Sequence, residues 1–306
     1  MAYVLWRDKR GKYHCVADEC PHRRASLACG HTVDDAIDCP YHRWRVAGNG
    51  RCTSPSDPDV QLQTPVYRVV EHLGYLWMGG PGAPDRIDAH QLVPQRSGWG
   101  FAGGHKLVIN APLEIVSDNF SENEHVPWVH AGLGWDENRL ETIDFRFEKT
   151  EDGARVEYRA RQRPNLLFRT LLVSTDDIYI NRFESKFEPP HTTFEISWET
   201  KRGTGKRPLA TASTVYFVPE TRNRTALHFF FQYQLSSLKF LGPVVQRAIP
   251  IIALKEARDD RRFLETVMAE TPPDLNGMKL RKFDRPIALH RKLIHERYLR
   301  GHVFPK

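Results

Sequence analysis

Cys20-Pro21-His22 and Cys39-Pro40-Tyr41-His42 decide how this chain is read, because each box offers one thiol and one imidazole. Two sulfurs can hold one iron and two imidazoles a second, a ligand set distinct from that of an all-cysteine ferredoxin cluster. Imidazoles are neutral where thiolates are anionic, so the imidazole-bound iron is the easier to reduce and the potential rises. Tetrahedral zinc also accepts two Cys and two His, but such zinc sites keep the thiols in one box and the imidazoles in another. Each box here mixes them, which favours a [2Fe–2S] cluster over zinc.

The surrounding stretches, Cys20 to Gly30 (CPHRRASLACG) and Cys39 to Arg45 (CPYHRWR), resemble the Rieske domains of ring-hydroxylating and demethylating oxygenases. That resemblance implies Cys20, His22, Cys39 and His42 as the ligands of a Rieske cluster, with Trp44 and Arg23 packing beside them. It also implies an α+β chain: an all-β Rieske domain over residues 1–80 and a catalytic domain over residues 85–306, an antiparallel sheet embracing helices in the helix-grip (START-like) manner. Respiratory-complex Rieske proteins add a cysteine to each box and join the two by a disulfide; other residues stand there in this chain. Of five cysteines, Cys15, Cys29 and Cys52 remain, with no disulfide-like spacing, and a reducing, cytoplasmic setting is expected. The family usually has Gly after the second His, where this chain has Arg43. Several strands normally precede the first hairpin in the family, so the chain is expected to start a few tens of residues inside its domain, leaving a sheet edge uncovered.

A chain of 306 residues with 40% hydrophobic content is long enough for two packed domains. The net charge of +6 comes from scattered Arg and Lys rather than basic blocks, which excludes a nucleic-acid arm and leaves a surface able to attract an acidic electron donor. The opening Met1 to Trp6 lacks the basic start and apolar middle of a secretory signal. Leu241 to Leu254 is apolar but short and interrupted, so a buried loop and helix start is expected there rather than a membrane span.

Taken in order, Val4 to Trp6 and Tyr13 to Val16 predict a hairpin, Gly48-Asn49-Gly50 a turn, and Val66 to Val70 with Gly74 to Met78 two closing strands. The Gly79 to Ala83 run, ending in Pro84, sustains neither helix nor sheet and marks the domain boundary. Beyond it, His105 to Asn110, Thr142 to Glu148, Ala154 to Ala160, Ile178 to Phe187, Thr193 to Trp198, Thr211 to Val218 and Ala226 to Tyr233 predict one antiparallel sheet. Helices are predicted around Leu113 to His125 and Lys255 to Met268, and the basic, amphipathic tail from Arg281 to Arg300 is expected to be a surface helix packed on its own domain.

A second metal station follows from Asp118 to His130. At about 100° per residue, Asp118, Glu122 and His125 share one helix face. His130 lies about 140° away unless the helix breaks, and Pro127 supplies the break. Two His and one carboxylate leave the opposite side of a ferrous ion open to O₂ and substrate. The resemblance implies a third ligand from an Asp on a late helix, and Asp260 of Asp260-Arg261-Arg262-Phe263-Leu264-Glu265 matches, with Asp259 the competitor one residue away. Leu264 and Val267 would share its inward face. Glu122 stands where the family typically has an Asp linking one subunit's Rieske histidine to its neighbour's iron, and Asn119 matches an amide found near the iron in some members.

What the resemblance implies is therefore a terminal oxygenase component: a homotrimer fed electrons from NAD(P)H by a separate reductase or ferredoxin. It would use O₂ at a mononuclear Fe(II), held by His125, His130 and Asp260, to hydroxylate or oxidatively demethylate a small organic, cyclic or aromatic substrate. No flavin or nicotinamide module is visible, so the reductase must be a partner. A ring cis-dihydroxylase and a pure electron-transfer protein are the alternatives, separable by product and by iron count. Phe229-Phe230-Phe231 could line a pocket, although alternating core positions explain most of it.

Overall fold

A computed structural model of the chain describes residues 2–80, 89–130, 134–164, 173–201, 205–237, 239–267 and 278–299. The chain divides into two compact units, Met1–Pro94 and Gln95–Lys306. From Pro81 on, the glycine–proline run that the sequence marks as a boundary lies outside the described residues, as do Met268 and Arg300.

In the first unit, β1 (Tyr3–Arg7) and β2 (Tyr13–Ala17) form the expected antiparallel hairpin. Five strands of three residues each follow: β3 (His31–Val33), β4 (Ala36–Asp38), β5 (Arg45–Ala47), β6 (Arg51–Thr53) and β7 (Gln61–Gln63). They pair in sequence order as a second sheet. β8 (Val66–His72) and β9 (Tyr75–Gly79) complete the first sheet in the order β1-β2-β8-β9. The three-residue strands are too short to show alternation, so no periodic signal announces them. Gly48, in the turn between β5 and β6, is obligatory: a Cβ there would lie 2.0 Å from Nδ1 of His14, whose Nε2 is held 3.0 Å from Asp8. The core packs Trp6, Val16, Leu27, Ile37 and Val46 around Cys20, Cys39 and Cys52, so the box sulfurs are rooted in apolar packing. A single short helix, α1 (Ala89–Leu92), lies near the end of this unit.

The second unit is built on β10 (Gly100–Ile109), β11 (Asp144–Lys149), β12 (Gly153–Arg161), β13 (Ile178–Phe187), β14 (Pro190–Glu199), β15 (Lys206–Thr221) and β16 (Arg224–Leu235). All pair antiparallel, in the order β10-β16-β15-β14-β13-β12-β11. Each overlaps a run predicted from its β-branched and aromatic content. Alternation assigns the faces: Tyr179, Asn181, Phe183, Ser185 and Phe187 of β13 are buried, while Arg182 between them reaches Glu157 on β12. The register stacks Asn181, Ile196, Thr211 and Tyr233 in one row across four strands, and Phe183, Phe194, Ser213 and Phe231 in the next.

Against this sheet pack α2 (Leu113–Asn119), α4 (Gly242–Leu264) and α5 (Arg285–Leu293), and the one-turn α3 (Val126–Val129) follows α2 in the chain. Two helix predictions need correction. The helix expected to run to His125 stops at Asn119, and Pro127, expected to break it, stands in the first turn of α3, where a missing amide proton costs nothing. The stretch from Leu241 to Leu254, expected to be a buried loop and helix start, is helical from Gly242 on: Pro243 occupies the first turn, and Pro250 is carried inside the helix. The basic tail is an amphipathic helix packed on its own unit, as expected: Ile287, His290, Arg291 and Leu293 of α5 are buried while Arg285, Ala288 and Lys292 are exposed, and it continues as a π-helical turn over Ile294–Tyr298. Leu264 is buried beside Asp260, whereas Val267 lies beyond the end of α4 and is exposed. No described helix is long and apolar enough to cross a membrane.

Candidate functional site

The two boxes of the first unit fold into one repeated loop. The Arg24 amide donates to the Cys20 carbonyl at 2.7 Å and the Arg43 amide to the Cys39 carbonyl at 3.0 Å; the Cys20 and Cys39 amides donate onward to the Ala25 and Trp44 carbonyls, both at 2.8 Å. Each loop closes on a left-handed residue, Arg24 at φ +61° and Arg43 at φ +57°. The His22 and His42 rings come within 4.8 Å of each other, centroid to centroid, and Trp44 stacks on His22 at 4.5 Å. His22 Nδ1 is buried with no hydrogen-bond partner, and burial, together with the neighbouring Cys39, pushes the Cys20 thiol up. Two thiols and an unpaired imidazole nitrogen shut away from water fit a metal that takes all of them as ligands. Among the described residues, the groupings whose donor atoms close within reach of one ion lie elsewhere.

Arg43 occupies a conformation that glycine adopts freely and that costs other residues about 1–2 kcal/mol. Its guanidinium meets His31 at 3.0 Å on an exposed surface, a contact worth little. Arg43→Gly is therefore expected to stabilise the holoprotein by about 0.5–1 kcal/mol, once the entropy of the added glycine is subtracted. Urea titration of the visible cluster band measures this, and a lowered midpoint would refute the strain.

The second unit gathers its polar residues where α2 ends. The Ser121 hydroxyl donates to the Ser117 carbonyl, and the Glu122 carboxylate accepts the amides of Glu124 and, at 3.2 Å, His125. These bonds fold the segment back on itself, so His125 and His130 stand at the two caps of α3, one helical turn apart. Convergence of the two imidazoles comes from this turn, and not from a break at Pro127, which lies inside α3. Asp118, placed by the sequence on one helix face with Glu122 and His125, points instead to Arg291.

Asp260 arrives from α4, its Oδ1 3.4 Å from His125 Nε2 and 3.2 Å from His130 Nε2. Asn119 Nδ2 lies 3.4 Å from both His125 Nε2 and Asp260 Oδ1. On the far side of each imidazole stands a further carboxylate: Glu122 against His125 Nδ1, and Glu256 with its Oε2 2.9 Å from His130 Nδ1. Sequence reasoning missed Glu256, although it sits four residues before Asp260 and hence on the same helix face. Asp259 also falls within one-ion reach of His130 and Glu256, but its carboxylate pairs with Lys255 at 2.8 Å on the outer side of α4.

Electrostatics fit a cation. Burial pulls His125 and His130 down, yet Asp260 with Glu122 or Glu256 outweighs it and holds both at about 9. Burial pushes Asp260 up, and the two imidazoles bring it down to about 2. The cluster thus calls for roughly two positive charges, which a divalent ion supplies while leaving each imidazole neutral as a ligand. Two His and one carboxylate suit ferrous iron with open positions. Beside them lies a cavity of about 510 Å³ between the inner face of the sheet and α4; Phe229 and Phe231 line it, whereas Phe230 points to the other face of β16.

The comparisons with known proteins fall on the same two units. Residues 1–66 match the Rieske [2Fe-2S] domain family, and residues 109–297 match the vanillate O-demethylase oxygenase C-terminal domain. The chain belongs to the Rieske non-haem iron oxygenases. A Rieske cluster and a mononuclear iron are the cofactors of that family. Chlorophyllide a oxygenase of Chlamydomonas reinhardtii is 30% identical over 141 residues, 44% of this chain and 21% of that protein. The oxygenase component of chloroacetanilide N-alkylformylase from Rhizorhabdus wittichii is 31% identical over 191 residues, 57% of this chain and 52% of that protein. The chain spans about half or less of the length of these curated relatives. Dicamba monooxygenase bound to 3,6-dichlorosalicylic acid superposes with a TM-score of 0.66 at 18% identity, covering 96% of this chain and 89% of that one. The QL mutant of Pseudomonas putida CBB5 NdmA with caffeine gives 0.63 at 16%, covering 96% and 80%. At those identities the likeness concerns the fold, an N-terminal all-β Rieske domain followed by an antiparallel sheet with few helices.

Proposed function

We propose that this chain is a terminal oxygenase component that hydroxylates an organic, cyclic substrate, with oxidative demethylation where the attacked carbon is an O- or N-methyl group. The observation that carries the reading is the convergence of His125, His130 and Asp260 at one end of an apolar cavity. Cys20, His22, Cys39 and His42 would hold the Rieske cluster, and the three convergent residues the mononuclear iron. When bound, the cluster supplies single electrons and the ferrous ion supplies O₂ activation. Electrons come from NAD(P)H through a separate reductase or ferredoxin, in the cytoplasm.

The chain's own residues do the rest. Glu122 fixes the tautomer of His125 and Glu256 sets a carboxylate 2.9 Å from Nδ1 of His130, so that each imidazole turns Nε2 to the site. The Asn119 amide lies against both His125 and Asp260, and the apolar lining keeps water from the reacting carbon. Glu122 is also the link to a neighbouring subunit's Rieske histidine in a homotrimer. Its oxygens accept from the His125 ring and two amides, and a carboxylate has about four acceptor positions, which leaves one for that histidine.

Iron and sulfide analysis of anaerobically purified protein is expected to give three irons and two sulfides per chain, against two irons for a simple electron carrier. Glu122→Gln is expected to keep all three irons and the Rieske spectrum while substrate-dependent O₂ uptake with a generic reductase falls at least about a hundredfold. Near-normal turnover would remove Glu122 from the electron path, and two irons in the unaltered protein would overturn the oxygenase reading.

A further inference from the structure

The cavity's polar groups are few and unevenly committed. Carboxylates Glu256 and Asp260 and imidazoles His125 and His130 sit at one end, and no lysine or arginine stands among the described lining residues. With a divalent ion bound, the carboxylates of Glu256, Asp260 and the adjoining Glu122 outweigh its two positive charges, so this end keeps no positive charge to spare. An anionic ligand would therefore shed its water with no counter-ion to receive it, a cost that buried carboxylates rarely bear.

Away from the metal end the lining is largely apolar, from Phe194 and Ile196 on β14 to Ile249 and Ile252 on α4, with Thr211 and Ser213 of β15 among it. The indole N–H of Trp198 donates to Gln162 Oε1 at 2.6 Å, so that ring offers a ligand only its apolar face. Asn181 differs. Its amide meets the Tyr179 hydroxyl, and its Oδ1, buried within the cavity wall, has no hydrogen-bond partner although Asn181 is only 5% exposed. A buried acceptor left open costs free energy unless something donates to it. Val244, 64% exposed, marks an open rim through which a ligand can enter. At about 510 Å³ the space is that of a drug-sized molecule, more than a single small ring fills.

Resting on the oxygenase reading of the same site, we propose that the substrate is an uncharged molecule of two or more rings, without a carboxylate, whose hydroxyl or N–H group donates to Asn181 Oδ1 while its apolar body fills the space beneath α4. Charge exclusion comes from the missing cation, and orientation comes from the asparagine.

The test measures binding by equilibrium dialysis on iron-loaded protein without reductase, so that it stands apart from turnover. Methyl 6-methoxy-2-naphthoate and 6-methoxy-2-naphthoate share one skeleton and differ in charge; the ester is expected to bind at least about tenfold tighter. 6-Methoxy-2-naphthol and 2-methoxynaphthalene differ by one hydroxyl; Asn181→Leu is expected to weaken the naphthol about tenfold and to leave 2-methoxynaphthalene within about twofold, which also shows the variant to be folded. Equal or tighter binding of the carboxylate, or no binding of the ester, overturns the proposal, and this arm needs no variant. Equal loss of naphthol and methoxynaphthalene in a folded Asn181→Leu protein removes the asparagine from it. The expected binding pattern without any oxygenation would instead leave the ligand class standing and sink the oxygenase reading.

Discussion

Asp260→Ala is expected to lower the iron content from three to two per chain, leave the Rieske absorption and EPR signal unchanged, and abolish substrate oxidation. The carboxylate meets both imidazoles, its Oδ1 within 3.4 Å of their Nε2 atoms, and in the proposed iron site it is the third donor. Two imidazoles alone do not hold ferrous iron against dilution, and removal of a ligand costs more than the 10–100-fold loss of affinity typical of a lost outer partner. Product formation should fall by at least about a thousandfold, to the background of the reductase. Asp259→Ala is the control that makes the experiment specific, because the two residues are neighbours on one helix. Asp259 pairs with Lys255, so its loss should leave three irons and most activity. Iron loss in Asp259→Ala with retention in Asp260→Ala would shift the site to the alternative grouping of His130, Glu256 and Asp259.

That Asp260 could be found without coordinates, and Glu256 could not, shows what a linear sequence carries. The boxes at Cys20 and Cys39 are legible because their donors are close in sequence and of rare type, and the seven long strands because each shows its own composition and alternation. Asp260 came from a motif resemblance. Glu256 had only its helical spacing to announce it, and its role depends on meeting His130, a contact made across the fold. The helix drawn through His125 failed for a different reason. Periodicity extends any helix until something stops it, and what stops α2 is hydrogen bonding by Ser121 and Glu122, residues equally at home in helix interiors. The error left the candidate ligands unchanged and altered the account of how they meet. Asp118, assigned to the same face as Glu122, turns out to serve the packing of α2 against α5.

That packing makes Arg291→Leu the substitution with the largest expected effect on stability. Arg291 is buried, and its Nε and a terminal nitrogen both donate to Asp118, whose side chain is 15% exposed. Beside this pair, His290 is held neutral by burial, which pulls it down to about 3, and its Nδ1 meets the Ser121 hydroxyl. Burial pushes Asp118 up to about 6; Arg291 opposes that push, and Glu114 and Glu122 add to it. Because the folded value lies above the unfolded value of about 3.9, the folded state binds the extra proton between roughly pH 4 and 6. Stability from this group is thus greatest below that window and declines as pH rises through it. Without Arg291 the push is unopposed, the folded value rises further, and the decline extends through neutral pH. Arg291→Leu is therefore expected to cost about 3–5 kcal/mol at pH 8 and clearly less at pH 5.5, read as the loss of hydrogen-exchange protection in α2 and α5 of the metal-loaded protein. Asp118→Leu combined with Arg291→Leu should recover most of that loss, since an apolar pair leaves no stranded charge. A loss equal at both pH values, or a double variant no better than the single one, would mean that Arg291 acts through its packing and not through Asp118. Since Asn119 and Glu122 follow directly from this end of α2, the single variant is also expected to loosen the hold of Glu122 on His125 while leaving the Rieske spectrum of the first unit unchanged.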